Sequence, residues 1–509
     1  MRTSEPEHLR TSEPANLRTA VEAVFAPGGG VARAVPDYEP RDGQVAMAAA
    51  VADVIEHGGT LIAEAGTGTG KTLAYLVPAI LSGQRVLVST GTKNLQEQIF
   101  FKDLPTLREA LGRPFTATLM KGRSNYLCLH RFETYRDGVE GHTSVPRQGS
   151  GQAGGRLIES GDRVMLPIVH EWSKTTKTGD RAELRDLPED LPLWKDIAAD
   201  AETCLGSECP RYGECFVTLM RQRAAESNVV IVNHHLLCAD AQLRKSAYGE
   251  VIPSCATLVV DEAHQLEDVA TQYFGIAVSN YRIDDLIRDV ESTVMLTPDM
   301  LEATSRVTER SRTFFSAMSM ARMEAAESKA RYNSETFIDY FQDGAMLAGA
   351  LEGLEATLVL SQKKDQTDEM IATLARRARD LHHELSFLIR ANDTDFVYYV
   401  ESRGRGFFLR ASPIDVSRLA KEALFDRMRA TVLTSATLAV DGSFEYVKSR
   451  LGIHEASQVR VASEFDYARQ ALLYLPRRIP SPKAPTFSAA AAREVIGRAS
   501  CRERVSDTV

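Results

Sequence analysis

Ala65-Gly66-Thr67-Gly68-Thr69-Gly70-Lys71-Thr72 follows an apolar run, Thr60-Leu61-Ile62-Ala63, and opens an apolar stretch from Leu73 to Leu81. A strand, a glycine-rich loop and a helix in succession are what a phosphate-binding P-loop needs. The glycines let backbone N–H groups turn inward around phosphate oxygens, and the helix N-terminus adds partial positive charge. In such a loop Lys71 reaches the β- and γ-phosphates and Thr72 a Mg²⁺ ion. Ala65 stands where the strict motif has glycine. A glycine-rich turn with no nucleotide is a poor reading, because Gly70-Lys71-Thr72 sits at the helix start.

A second apolar run, Leu258-Val259-Val260, ends in Asp261-Glu262-Ala263-His264. An acid at the C-terminal end of a buried strand is where a P-loop fold places its other Mg²⁺ ligand, here Asp261. Glu262 beside it can orient and deprotonate the attacking water. An exposed acidic turn is the bland alternative, but the order after the P-loop argues against chance. Together the two stretches read as NTP hydrolysis, and D-E-A-H narrows this to the helicase-like P-loop ATPases.

The chain has 509 residues, enough for more than one domain, and an ordinary 44% apolar content. Its net charge of −9 excludes a uniformly basic surface, so any nucleic acid must be held in a local groove. No apolar stretch is expected to approach the ~20 residues of a membrane span. With no signal-peptide core, a cytoplasmic protein with reduced thiols is expected. The polar near-repeat Arg2 to Leu9 and Arg10 to Leu17 reads as part of a mobile tail, 1–19.

Leu61-Ile62-Ala63, Val86-Leu87-Val88, Val229-Val230-Ile231-Val232, Leu258-Val259-Val260 and Thr431-Val432-Leu433 look like strands buried on both faces. Helix-like segments separate them, which predicts an α/β fold with a parallel sheet. Lys71 and Asp261 lie 190 positions apart, too far for one uninterrupted core. Two insertions are therefore expected, at 119–217 and 276–400. The first contains a Gly/Ser/Gln-rich loop, Gln148 to Gly155. In the second, Leu374, Ala378, Leu381, Leu385 and Leu388 mark one face of a helix. Phe396 to Val400 and Gly406 to Leu409 read as strands leading back to the core.

The first insertion also holds Cys128, Cys204, Cys209 and Cys215. Four thiolates suit an iron–sulfur cluster or a tetrahedral zinc ion, although the close C-x2-C knuckles of zinc ribbons are missing. Unliganded buried thiols are a third reading. Cys238 and Cys255 border core strands and read as packing residues.

Taken in order, these features resemble the iron–sulfur superfamily 2 helicases of the bacterial DinG/YoaA group, related to XPD. Arg41-Asp42-Gly43-Gln44, Ser89 to Gln98, Lys121 to Cys128 and Ser435-Ala436-Thr437-Leu438 fall in that family's order. The resemblance spans about residues 20–495. It implies a RecA-like domain 1 in three parts, 20–118, 218–275 and 401–440. An iron–sulfur domain at 119–217 and a helical Arch domain at 276–400 interrupt it. A second RecA-like domain starts at 441–495. The implied activity is ATP-driven 5′→3′ movement on single-stranded or forked DNA, in DNA repair or the replication-stress response. The implied cofactors are Mg²⁺ and a 4Fe-4S cluster on the four cysteines.

Family roles carry over where residues match. Gln44 resembles the adenine-reading glutamine. Lys93, Asn94 and Gln96 fall in the motif that touches the DNA backbone. Arg123, Asn125 and Tyr126 would line a path beside the cluster, with Tyr126 stacking on a base. His264, Ser435 and Thr437 resemble the couplers between ATP state and domain motion. An RNA or RNA–DNA hybrid substrate is the alternative within the same chemistry.

The family's late Q-x-x-G-R-x-x-R motif is absent, and 72 residues follow Thr437. The second motor domain is therefore expected to be incomplete. The chain alone is expected to bind nucleotide and single strands without unwinding. The stretch Ile496 to Val505 resembles translated sequencing-adaptor sequence, so 496–509 is expected to be foreign.

Overall fold

The computed structural model describes residues 16–495, apart from 37, 142–159, 186, 189–190, 201–203, 246–249, 294–295, 324–328, 362–368, 404–405, 466, 472–474 and 477–478. The expected tail before residue 16, the Gln148 to Gly155 loop and the adaptor-like stretch lie outside the described residues. The chain divides into a large unit, Met1–Ala462, and a small one, Ser463–Val509. The small unit carries a short helix, Tyr467–Gln470.

All five expected strands form, and all join one parallel sheet. They are β1 (Gly59–Ala65), β2 (Val86–Thr90), β4 (Val229–Asn233), β5 (Thr257–Asp261) and β10 (Ala430–Ser435). Two more complete it: β3 (Ala117–Leu119) and β11 (Ser457–Val461), in the order β11-β1-β10-β5-β2-β4-β3. β2, β5 and β10 are buried along their whole length, which is why they read as apolar runs without alternation. Helices Asp42–His57 and Lys71–Leu81 cover one face with Met47, Val51, Ile55, Tyr75 and Leu76, all fully buried. The resulting arrangement is a RecA-like α/β core. β1, β10 and β5 are neighbours, so the loops at their C-terminal ends share one edge, where open α/β sheets place their ligands.

A second sheet is antiparallel, in the order β6-β9-β8-β7. Its strands are β6 (Ile276–Ser279), β7 (Lys329–Tyr332), β8 (Phe396–Arg403) and β9 (Gly406–Pro413). Helices Asn280–Glu291, Pro298–Met323, Ile338–Ser361 and Glu369–Arg390 form a separate apolar cluster with it. Leu374, Ala378, Leu381, Leu385 and Leu388 all face that cluster, as their spacing required.

Two expected boundaries are corrected here. β8 and β9 were read as strands returning to the first core from residue 401. They instead pair with each other, and β9 pairs with β6, so the insertion's own sheet runs to Pro413. Residues from 441 were read as the start of a second motor domain. Up to 461 they complete the first: β11 pairs in parallel with β1, and Val447 and Leu451 lie in the first core.

Helix Ile338–Ser361 is long and apolar enough to cross a membrane by length and composition, which the sequence reading overlooked. Leu347, Leu351, Leu354 and Leu358 recur at spacings of three and four on its buried face and, with buried Ala348 and Ala350, pack in the insertion.

Candidate functional site

The P-loop turns through two left-handed glycines, Gly68 (φ +89°) and Gly70 (φ +82°). Thr69 Oγ1 donates to Gly66 O at 2.7 Å and tightens the turn. Ala65 and Thr69 are buried, Thr67 is exposed, and Lys71 Nζ lies 3.4 Å from Ala65 O. Arg41 donates to Gly68 O, and Gln44 Nε2 to Gly70 O at 3.0 Å. Tyr38 in turn donates to Gln44 Oε1 at 3.0 Å, and Gln44 is only 2% exposed. Gln44, which resembles the adenine-reading glutamine, is buried here and braces the loop through these two bonds.

A Cβ on Gly70 would lie 2.1 Å from Gln44 Nε2, at a φ that L-residues avoid. Gly70→Ala is therefore expected to dislodge the brace and weaken nucleotide binding. Equilibrium titration with a fluorescent ATP analogue checks this, and unchanged affinity counts against it.

Across β10, Asp261 ends β5 nearly buried. Tyr75, one turn into the P-loop helix, donates its hydroxyl to Asp261 Oδ2 at 3.2 Å. Asp261 Oδ1 is buried without a partner. Burial pushes the Asp261 carboxyl up to about 6, Glu262 adds to the rise, and Lys71 opposes it. At neutral pH this leaves a carboxylate with one open lone-pair face near Lys71, a donor set that fits a hard cation shared with Thr72. Burial likewise drives the Tyr75 phenol well up, with Asp261 adding, so it stays a donor. Tyr75 escaped the sequence reading; its place one turn after Lys71 was the available signal.

Glu262 turns the chain at φ +56°, a strained value for a non-glycine residue. Its carboxylate meets His264 and Ser435. Ser435 Oγ donates to Glu262 Oε2 at 3.3 Å, and His264 Nδ1 lies 2.8 Å from Ser435 Oγ and 3.4 Å from Glu262 Oε2. Thr437 is exposed, and its N–H donates to Ser435 Oγ at 3.3 Å. Residues 173 positions apart thus form one cluster.

Behind it, His234 is fully buried, its Nδ1 2.7 Å from Ser89 Oγ. Burial pulls its imidazole down to about 4, against the backbone at Glu262 and Asp261. An unfolded histidine titrates near about 6.5, so between those values only the unfolded chain takes the proton. Stability present above about pH 6.5 is therefore lost as pH falls toward about 4. The wild type should lose about 2 kcal/mol more than His234→Asn between pH 7 and 5 in urea unfolding. Equal losses would contradict this.

The expected DNA-facing residues divide. Lys93 and Asn94 are exposed at the start of helix Lys93–Gln98, and Lys93 Nζ donates to Asn125 Oδ1 at 2.7 Å. Arg123 is half-buried. Gln96 and Tyr126 are corrected. Gln96 is 0% exposed and donates Nε2 to Met120 O at 3.2 Å, because helical periodicity turns it away from Asn94. Tyr126 is 3% exposed in the core, and its hydroxyl accepts from Lys121 N at 3.1 Å, leaving no face for a base. Lys121, itself buried, pairs with Glu97 and Asp180 at 2.7 Å each and ties this helix to the insertion.

Cys209 and Cys215 sit at the ends of two short 3₁₀ turns, Gly206–Glu208 and Tyr212–Glu214, and Cys204 is exposed just before them. Burial pushes the Cys128 thiol up, Arg131 opposes, and nearby Cys215 and Cys209 add to the rise. Arg221 lies beside Cys204 and Cys215, with its Nε and Nη2 buried and without partners. Among the described residues no three His, Cys, Asp or Glu side chains close on the position of a single ion. Two unpartnered guanidinium nitrogens beside Cys204 and Cys215, with the Arg123 cation also near, fit an anionic body held by thiolates.

A DEAD/DEAH box helicase family model matches residues 46–122. The chain is 35% identical to the ATP-dependent DNA helicase YoaA of Haemophilus influenzae over 466 residues, covering 90% of this chain and 69% of that protein. It is 32% identical to the ATP-dependent helicase DinG of Mycobacterium tuberculosis over 471 residues, 87% of this chain and 66% of that one. Among solved structures, a truncated XPD aligns with 83% of this chain and 99% of its own at a TM-score of 0.39 and 14% identity.

Proposed function

Because the chain belongs to the DinG/YoaA family of ATP-dependent DNA helicases, we propose that, within a motor with both RecA-like domains, it couples ATP hydrolysis to 5′→3′ movement on single-stranded or forked DNA, in repair or replication stress. The observation that carries this is the convergence of Lys71, Asp261, Glu262, His264 and Ser435 on one edge of the sheet. In this reading the P-loop amides and Lys71 cradle the β- and γ-phosphates. Thr72 and Asp261 hold Mg²⁺, which when bound neutralises charge on the phosphate oxygens. Glu262 orients the water and accepts its proton, and Ser435 and His264 fix that carboxylate. Lys93, Asn94 and Arg123 contact phosphates, which positions a strand without reading its sequence.

Cys128, Cys204, Cys209 and Cys215 would hold a 4Fe-4S cluster, with Arg221 facing its negative charge. The insertion already buries Phe132, Val169, Leu193, Trp194 and Ile197, so the cluster's chief work would be to pin the turns that carry Cys204, Cys209 and Cys215.

The test is Mg-dependent ATP hydrolysis with and without single-stranded DNA, RNA and hybrid. Stimulation by DNA is expected. Equal stimulation by RNA favours the RNA or hybrid substrate, and a rate unaffected by any strand overturns the motor reading.

A further inference from the structure

Glu64 stands one position before the P-loop, on β1, and has no part in the chemistry described so far. Its side chain is 12% exposed. Its register neighbours are Ser435 on β10 and Arg460 on β11. Glu64 Oε2 accepts two successive backbone N–H groups, Leu438 at 2.7 Å and Ala439 at 2.6 Å. Glu64 Oε1 accepts from Arg460 Nε at 2.9 Å. Burial alone would raise this carboxyl, but the bonds from Ala439, Leu438 and Arg460 outweigh it and hold it below the usual range.

The two amides follow Ser435-Ala436-Thr437 directly, where the chain leaves the sheet and has no ladder partner. Thr437 N is held by Ser435 Oγ, the same oxygen that meets Glu262 and His264. The three amides of 437–439 are thus fixed by two side chains, Ser435 and Glu64. A shift of this segment would carry Ser435 away from Glu262.

We propose that Glu64 is a positioning residue for hydrolysis: it locks residues 437–439 to the root of the P-loop, so that Ser435 keeps the Glu262 carboxylate aimed. β1 then reaches the reacting groups by two routes. One runs forward into Lys71 and Thr72, the other sideways through Glu64 to Ser435 and Glu262. Nucleotide that moves the P-loop moves the water-orienting carboxylate with it. The inference rests on the proposed hydrolytic function.

The experiment compares wild type, Glu64→Gln and Glu64→Ala. Single-turnover ATP hydrolysis and the affinity for a fluorescent ATP analogue are measured on each. Glu64→Ala should slow turnover by roughly tenfold to a hundredfold, the penalty of a misplaced group. Its nucleotide affinity should stay within about twofold. Glu64→Gln keeps an oxygen for the two amides and gives up only the Arg460 bond, so it should retain most turnover. Wild-type turnover in Glu64→Ala overturns the proposal. So does parallel loss of affinity and turnover, which would mean a purely structural role, or a Gln variant as slow as Ala. Hydrogen exchange at 437–439, with and without a non-hydrolysable ATP analogue, reads the same link without turnover. Nucleotide should alter protection there in wild type and not in Glu64→Ala; no change in wild type also overturns it. A wild type that binds nucleotide and shows this response but never hydrolyses would sink the proposed function and leave the link standing.

Discussion

Glu262→Gln should lower ATP turnover by about two to four orders of magnitude, the usual worth of a positioned general base, while nucleotide affinity stays near wild type. Gln has the shape of Glu, so the strained turn at φ +56° is kept. Its amide oxygen still accepts from Ser435, which donates to Glu262 Oε2 at 3.3 Å in the native chain. The phosphate cradle and Asp261 are untouched. What disappears is the carboxylate proposed to take a proton from the attacking water. Fluorescent-nucleotide titration and single-turnover hydrolysis on the same preparation separate binding from chemistry. Equal hydrolysis by variant and wild type would remove Glu262 from its role.

Cys209→Ser should cost the protein most of its iron and labile sulfide. Protein purified without oxygen should absorb in the visible, and the variant should lose that absorption. Four ligands acting on one body lose it together, because three thiolates leave an open iron site for water and oxidation. The bound cluster would close the chain between Cys128 and Cys204, 76 positions apart, and so remove much unfolded-state freedom. Cys238→Ala is the control. Cys238 is fully buried on helix His234–Lys245 outside the proposed ligand set, and burial pushes it up to about 12, so its loss should leave iron unchanged. Stoichiometric zinc without labile sulfide would reject the cluster.

The two effects differ in how visible they were in the sequence. The P-loop is contiguous, and its glycines, lysine and threonine act through local backbone geometry, so eight adjacent letters sufficed. The D-E-A-H acid and the five buried strands were equally legible, because a strand covered on both faces must be apolar throughout. The apolar stripe from Leu374 to Leu388 was legible for the same kind of reason: one helix face repeats at a fixed period.

Orientation and pairing were not legible. Gln96 and Tyr126 have polar ends suited to DNA, yet the fold turns both inward: Gln96 because a two-residue step along a helix reverses the face, Tyr126 because the extended chain after Arg123–Asn125 bridges to Asp180. β8 and β9 were seen as strands, but a strand's letters do not say which sheet completes its hydrogen bonds. Residues 441–461 joined the first core for the same reason, through β11 on β1. By itself, then, the sequence determined the nucleotide chemistry, the parallel core and the positions of the cysteines, because each depends on local residue pattern. Only the tertiary structure decided that Tyr75 meets Asp261, that Ser435 bridges Glu262 and His264, and that Glu64 clasps the amides of Leu438 and Ala439. Those contacts join residues 171 to 375 positions apart on the strands of one sheet and the helix and turns beside them, and the packing of those elements, not spacing along the chain, brings them together.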